Sequence, residues 1–544
     1  MRILLLAAAL AAAVFAQESA KTTGSISGVV KDATTGTPLP EVTVFAGTNM
    51  SGTTSKTDAS GRYTLRDLKA GTYRVNVMAF TIGRPFLTKT VTLGAGQELT
   101  SIDFPLQTFG EISGKILDEN KEPVPGRNVM LVAREYRLGV LEHVYAGAAR
   151  TDDQGAYRLQ RVTPGRAFLI VVQRPHGKLS AVSDAPADPK LRKKVFPPTY
   201  YPGSTSIDGA QPLILRSGER REGVDMQLSR VPSFCIEGVL ATESGPAALD
   251  FQVAPRRPAS GRVGDGAIYI AVPIGQTGPD GKLRLCELPP ADYELTVYQR
   301  ATAQREPPPF FSIAQASIAD RDVRNFQVQV RPRVQIPGEV VWDGAPPDKP
   351  LDAKLSIRLE PSTRGQFMGE DLGAKSSIPG EFNFSGVFVD EYAVLLHGLP
   401  KDLYTKDITY AGTSVLRAPL RVGSAIGEAK LRIVLARDGA VINGRVADKD
   451  GNPVPDSYVL IFPAEATTEA ELAAALISGQ TDQKGVHTTK ALAPGKYLVL
   501  ASTTPVDMSP ESIGKLYQAR TRAQEITLAP NATVAVTLTP ANLQ

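Results

Sequence analysis

One pattern recurs about every hundred residues and constrains the fold more than any other feature of the chain. Ile26-Ser27-Gly28-Val29-Val30-Lys31-Asp32 returns as Ile112-Ser113-Gly114-Lys115-Ile116-Leu117-Asp118 and as Ile442-Asn443-Gly444-Arg445-Val446-Ala447-Asp448. Weaker copies are Ile236-Glu237-Gly238-Val239-Leu240 and Ile336-Pro337-Gly338-Glu339-Val340. The Ile, the Gly and the next apolar residue share one parity while polar residues mostly take the other, the period of a half-buried strand. A turn rich in Pro follows, at Pro38-Leu39-Pro40, Pro123-Val124-Pro125-Gly126 and Pro453-Val454-Pro455-Asp456, and leads into a second strand such as Val129-Met130-Leu131.

The strongest signal lies in the middle of each copy. Thr57-Asp58-Ala59-Ser60-Gly61-Arg62-Tyr63-Thr64-Leu65 is followed by Leu68, Gly71 and Tyr73. Thr151-Asp152-Asp153-Gln154-Gly155-Ala156-Tyr157-Arg158-Leu159 and Thr481-Asp482-Gln483-Lys484-Gly485 repeat the spacing. Asp280-Gly281 and Pro379-Gly380 mark more eroded copies. Asp accepts from backbone N–H groups across a turn and Gly takes the positive φ the turn needs, so each stretch predicts a hairpin with its Tyr and Leu pointing inward. Alternating strands close the copies at Ile102–Phe104, Val224–Leu228, Phe326–Val330, Leu431–Leu435 and Val534–Leu538. Short strands broken at regular intervals by turn residues predict an all-β chain of sandwiches.

The expected organisation is a signal peptide at 1–16 and five β-sandwich modules at 17–108, 109–231, 232–332, 333–438 and 439–544. Linkers this short predict a semi-rigid rod in which neighbouring modules touch. Two insertions read as short helices. Thr468-Glu469-Ala470-Glu471 is a capping box ahead of Leu472–Leu476, and Ser509-Pro510-Glu511 places an N-cap before Pro at the first helical position.

Taken together, I-x-G-x-V-x-D, the Pro turn, T-D-x-x-G-x-Y-x-L, L-x-P-G and the following Tyr resemble the carboxypeptidase regulatory-like domain, a transthyretin-like, Ig-like β-sandwich. The first, second and fifth copies match well, the third and fourth in part. The resemblance implies an accessory fold without a chemistry of its own. In that family the module accompanies peptidases, outer-membrane receptors or further sandwiches. Once five modules are assigned, neither a peptidase sequence nor a run of barrel strands is left over.

Met1-Arg2, the apolar run Ile3–Ala13 and the small residues of Val14-Phe15-Ala16 read as a secretory signal cleaved after Ala16. The run is shorter than the roughly 20 apolar residues a spanning helix needs, and no later stretch is apolar enough. No membrane span is therefore expected after signal removal, and the location expected is secreted or periplasmic. Sixty Lys and Arg against 56 Asp and Glu nominate no charged partner. Arg192-Lys193-Lys194 and Arg220-Arg221 read as solvated loops, and no nucleic-acid partner is expected.

No catalytic constellation emerges. His143, His176, His397 and His487 sit in four separate settings with no pair at metal-ligand spacing, so neither a metal nor another cofactor is expected. The Thr-Asp-x-x-Gly turns offer one Asp each, too few oxygens for the six to eight that Ca²⁺ takes. There is no G-x-S-x-G elbow and no phosphate-binding Gly loop. Possible ligand contacts are Phe196, Tyr200 and Tyr201, and Phe310 and Phe311 after Pro307-Pro308-Pro309, aromatics on Pro-rich loops that either form a contact patch or fold back over a sandwich end. Trp342 keeps the inward parity of Ile336 and Val340 and reads as core.

Cys235 and Cys286, the only cysteines, fall in the third module at outward parity and are expected to form a disulfide if their strands are neighbours in one sheet. The reading is a non-catalytic scaffold or adhesion-like binding protein whose partner is an envelope or extracellular protein or a glycan. A carbohydrate-binding module array is the alternative, and an enzyme of unrecognised mechanism the next. The exported chain is predicted to begin at Gln17 without a lipid; intact-mass measurement finding Met1 retained would contradict this.

Overall fold

A computed structural model describes residues 23–48, 51–78, 87–173, 181–255, 262–263, 274–299, 310–347, 351–361, 372–423 and 429–543. Residues 1–16, expected from sequence to be a signal peptide, and Gln17 lie outside the described residues, as do His176 and Pro307–Pro309. The chain divides into two compact units, 1–107 and 108–544. Both are built of β-strands, and the two expected helices form as read: Glu469–Ala475 (α1) behind a capping box on Thr468 and Glu471, and Pro510–Ala519 (α2) behind Ser509. Among the described residues no helix is long and apolar enough to cross a membrane.

In the first unit the opening strand Thr23–Asp32 pairs antiparallel with Arg62–Lys69 and parallel with Glu98–Leu99 and Phe104–Leu106. Facing it is the sheet Ser51–Lys56, Thr43–Thr48, Gly71–Met78, Leu87–Leu93, in that order. Ile26, Val30, Val44, Tyr63, Leu65, Val75, Val77 and Phe104 fill the space between. The period-2 pattern explains this: Tyr63 and Leu65 are buried, Thr64 between them is half-buried, and Arg62 and Arg66 on either side are exposed.

The second unit repeats the arrangement. Gly110–Leu117 pairs antiparallel with Ala156–Val162 and parallel with Arg220–Arg221 and Met226–Gln227. The opposite sheet runs Thr199–Tyr200, Ala167–Gln173, Asn128–Arg137, Val140–Arg150. Separate clusters of buried apolar side chains span Ile112–Leu228, Ala181–Val330, Val334–Leu435 and Ala440–Leu538. Trp342 is half-buried against the third of these four, as its parity predicts.

Two local devices recur. In the hairpins, Asp58 Oδ1 accepts from the N–H groups of Ser60 and Arg62, and Asp152 Oδ1 from those of Gln154 and Ala156. Asp482 Oδ1 accepts from Lys484 and Val486 in the same way. The following Gly61, Gly155 and Gly485 have φ of 71°, 68° and 71°. The preceding threonine, which the sequence reading left without a role, is buried and ties the hairpin to the Pro turn. Thr57 Oγ1 donates to Leu39 O and accepts from Val42 N; Thr151 does so with Val124 and Arg127, Thr277 with Ala247 and Leu249, and Thr481 with Val454 and Ser457.

The sequence predicts a semi-rigid rod with neighbouring modules in contact; within residues 108–544 modules that are not neighbours in sequence touch as well. The long hairpin Asn128–Arg150 of the second sandwich reaches the helices of the last: Tyr136 N–H donates to Met508 O at 2.6 Å and its hydroxyl to Glu469 Oε2 at 3.1 Å. Arg134 lies 3.7 Å from Glu511, and Arg137 pairs with Glu360. Tyr136 packs on a cluster containing Leu460, Phe462, Leu472, Ile513 and Leu516. The apolar faces of α1 and α2 are covered in part by a strand over three hundred residues away, a pairing that no local pattern encodes.

Thr151→Val keeps the shape of the side chain but leaves the Arg127 N–H and Val124 C=O without their buried partner. It is predicted to cost about 2 kcal/mol in denaturant unfolding of the second sandwich; a loss under about 0.5 kcal/mol would contradict the clamp.

Candidate functional site in the second sandwich

Residues of the second sandwich, most of them outward-facing, form an open groove of about 780 Å³, lined by Ser113, Lys115, Arg150, Asp152, Arg158 and Asp225 together with Tyr157 and small residues. Register sets the lining: Lys115 lies opposite Ala156 and Ser113 opposite Arg158, all on the face away from Ile112, Ile116 and Leu159. The closing strand brings Asp225 beside the opening one, where its Oδ1 accepts from Lys115 N–H at 2.8 Å. Arg158 is 3.5 Å from Glu111 and Arg150 Nε donates to Gly126 O at 3.3 Å. Asp152 Oδ1 is committed to its hairpin.

The groove therefore presents three cationic side chains, two carboxylates each anchored through one oxygen, and the Ser113 hydroxyl. Its Tyr157 hydroxyl donates to Val224 O at 2.7 Å, and burial, with the Asp225 charge second, pushes its ionisation well above the usual phenol range. The lining contains no histidine or cysteine to act as base or nucleophile. This chemistry suits hydrogen bonding and ion pairing to a polar ligand. Sequence reading missed the groove because its residues are the polar, outward half of each strand, where any polar residue satisfies the period.

The aromatic residues named from sequence separate into two places. Phe196 and Tyr201 pack half-buried against the second core, and the guanidinium groups of Arg127 and Arg230 stand 4.9 and 4.3 Å from the Phe196 ring. Tyr200 is half-buried and paired with Val171. Phe310 packs on the third core, and Phe311 is buried with its ring 4.6 Å from that of Phe388.

The described histidines are also apart: His143 is buried, His397 exposed at a strand end, and His487 half-buried with its basicity lowered by that burial.

Cys235 and Cys286 form a disulfide with Cα atoms 4.1 Å apart. Their strands, Phe234–Thr242 and Lys282–Leu288, are neighbours whose register shifts between Phe234 and Ile236. Outward parity did not leave the cysteines exposed: they are 0% and 4% accessible, and residues 181–195 are seated on the strands that carry them, Val182 bridging Arg284 and Lys193 O accepting from Ser233. Arg192 corrects a second expectation. Rather than a solvated loop residue it is buried, its guanidinium forking onto Asp322, whose carboxyl it holds below the usual range. Cys235 Sγ and carboxylate oxygens of Glu237 and Asp322 lie within 4.8 Å of one another, but the sulfur is in the disulfide and the acids are paired with Arg284 and Arg192, so these atoms do not make a metal centre.

Residues 25–107 match the family model of the carboxypeptidase regulatory-like domain. No curated protein matches the chain. Similar solved structures include the full-length major pilin of Streptococcus pneumoniae, with 8% identity, 96% of this chain and 100% of that one covered, and a TM-score of 0.16. The shaft pilin of Lactobacillus rhamnosus GG has 11% identity, 39% and 98% coverage and a TM-score of 0.20. The Bacillus anthracis TIE protein has 9% identity, 96% and 69% coverage and a TM-score of 0.14. Superposition this slight carries no argument, and the fold rests on the strands and registers described above. The first sandwich is thus of the carboxypeptidase regulatory-like type.

The disulfide predicts that unreduced, denatured protein takes up no thiol-directed alkylating label and reduced protein takes up two; two labels before reduction would contradict it.

Proposed function

We propose that the chain is a non-catalytic binding scaffold working outside the cytoplasm, and that the groove of the second sandwich is its contact site. The observation that carries this is the groove's lining: anchored carboxylates and exposed cations face solvent on a sheet, with no histidine or cysteine among them. Export is supported by the apolar N-terminal run and by a disulfide, which persists in oxidising compartments. The carboxypeptidase regulatory-like match supports an accessory role. The ligand favoured is a polar protein segment, since the lining offers charges and hydrogen-bonding groups but no exposed aromatic platform on which a sugar ring would stack.

The test is a pull-down from an envelope fraction with the mature chain, beside Lys115→Glu/Arg158→Glu. Both side chains are exposed, so the double variant is predicted to keep its melting temperature and lose its partner at least about tenfold. Equal capture by both proteins would refute the site. Binding to neutral oligosaccharides on a glycan array, unaffected by the double variant, would favour the carbohydrate-binding reading instead. Saturating chelator is predicted to leave capture unchanged; a large loss would reveal a metal centre.

A further inference from the structure

Residues 181–195 fall between the strands Ala167–Gln173 and Thr199–Tyr200 of the second sandwich; Val195 pairs with Val231 at the end of that sandwich, but residues 181–193 make their hydrogen bonds to the third. Ala181 is part of the third core. Beside it Val182 bridges Arg284 in parallel, with Arg284 N–H donating to Ala181 O and Ser183 N–H to Arg284 O. The segment thus adds itself as a short extra strand to Lys282–Leu288, two residues from Cys286. The Arg284 side chain secures it by donating to Ser183 O and Ala185 O.

Its far end is held by Arg192. That guanidinium donates to Pro186 O and Ala187 O within the segment and forks onto both oxygens of Asp322, the two side chains being 1% and 5% exposed. Asp322 Oδ1 also accepts from the N–H of Cys235 at 2.9 Å, and Ser233 Oγ donates to Lys193 O at 2.8 Å. One carboxylate therefore joins the end of the strap to the backbone of a disulfide cysteine, and the strap is tied at both ends to strands whose cysteines are buried in spite of their outward parity.

We propose that the strap and the disulfide form a redox latch between the second and third sandwiches: the strap bars thiol reductants from the Cys235–Cys286 bond, and the bond holds together the two strands on which the strap is seated. Reduction then needs the strap to lift first. An external dithiol thiolate attacks one sulfur, the S–S bond breaks, and the released thiolate takes a proton from water. The second thiol of the reductant resolves the mixed disulfide, so two electrons pass to the cysteines and the reductant leaves as its cyclic disulfide. With the bond open, the strap loses its footing and the sandwiches uncouple. This does not depend on the groove.

The test measures thiol appearance in the native full chain under dithiothreitol, by quenched maleimide labelling. Arg192→Ala removes the fork and Ala181→Glu places a charge in the third core, two separate ways to lift the strap. Each is predicted to speed reduction at least about tenfold, since breaking one side of a buried fork is strongly unfavourable to the seated state. Arg192→Lys, which keeps the charge without the fork, should fall between. In denaturant all four proteins should reduce alike, which separates access from intrinsic reactivity. In the reverse direction, Cys235→Ser/Cys286→Ser should be cut by trypsin faster after Lys190, Lys193 or Lys194, which are exposed on the strap. Native reduction at the wild-type rate in both lifting variants, or strap cleavage unchanged without the disulfide, would overturn the latch.

Discussion

A single carbonyl oxygen in the closing strand organises the first two sandwiches. A Cβ added to Gly28 would stand 2.1 Å from Ile102 O, and one added to Gly114 would stand 2.1 Å from Val224 O. Those same oxygens accept the hydroxyls of Tyr63 and Tyr157, each at 2.7 Å. The next residue, Asp103 or Asp225, takes the N–H after the glycine, on Val29 or Lys115. Only a residue without a side chain lets the last strand come this close to the first. The tyrosine reaches across from the hairpin strand to satisfy the carbonyl, so Gly, Tyr and Asp from three parts of a copy meet at one point. At Gly238 the corresponding oxygen, of Phe326, would be 1.7 Å away, so the third sandwich has the same close approach.

This dependence explains which parts were legible in the sequence. The Gly, the Asp-x-x-Gly turn, the Tyr and the helix caps are local or evenly spaced requirements, and each appears as a repeated letter. The threonine clamp was visible as a repeated Thr, yet its partners lie 15 to 30 residues away and gave no signal of their own. Arg192 looked like part of a basic run because its partner, Asp322, is 130 residues distant. Parity gave Cys235 and Cys286 outward positions but said nothing of whether their strands are neighbours or of the strap seated on those strands. The groove fared worst, because outward positions demand only polarity and its lining comes from four separate stretches.

The division of labour within a strand also suits a scaffold. Inward positions hold the two sheets together and are the same kind of residue in every copy, whereas outward positions are free to differ without cost to the core. In the second copy those positions carry the groove; in the third they carry a disulfide beneath a strap. Long insertions supply the rest: the overhanging hairpin that meets α1 and α2, and the strap. Both join parts of residues 108–544 through hydrogen-bonded main chain rather than through surface ion pairs alone, which contribute little when exposed.

The most direct measurement of the account is hydrogen exchange by mass spectrometry on the full chain carrying Gly28→Ala. The added methyl forces Ile102 away from the opening strand, so protection is predicted to fall across residues 23–48, 51–78 and 87–106, closing strand and hairpin included. Loss confined to the few amides around residue 28, with the closing strand as protected as before, would contradict the claim that this close approach holds the sandwich together.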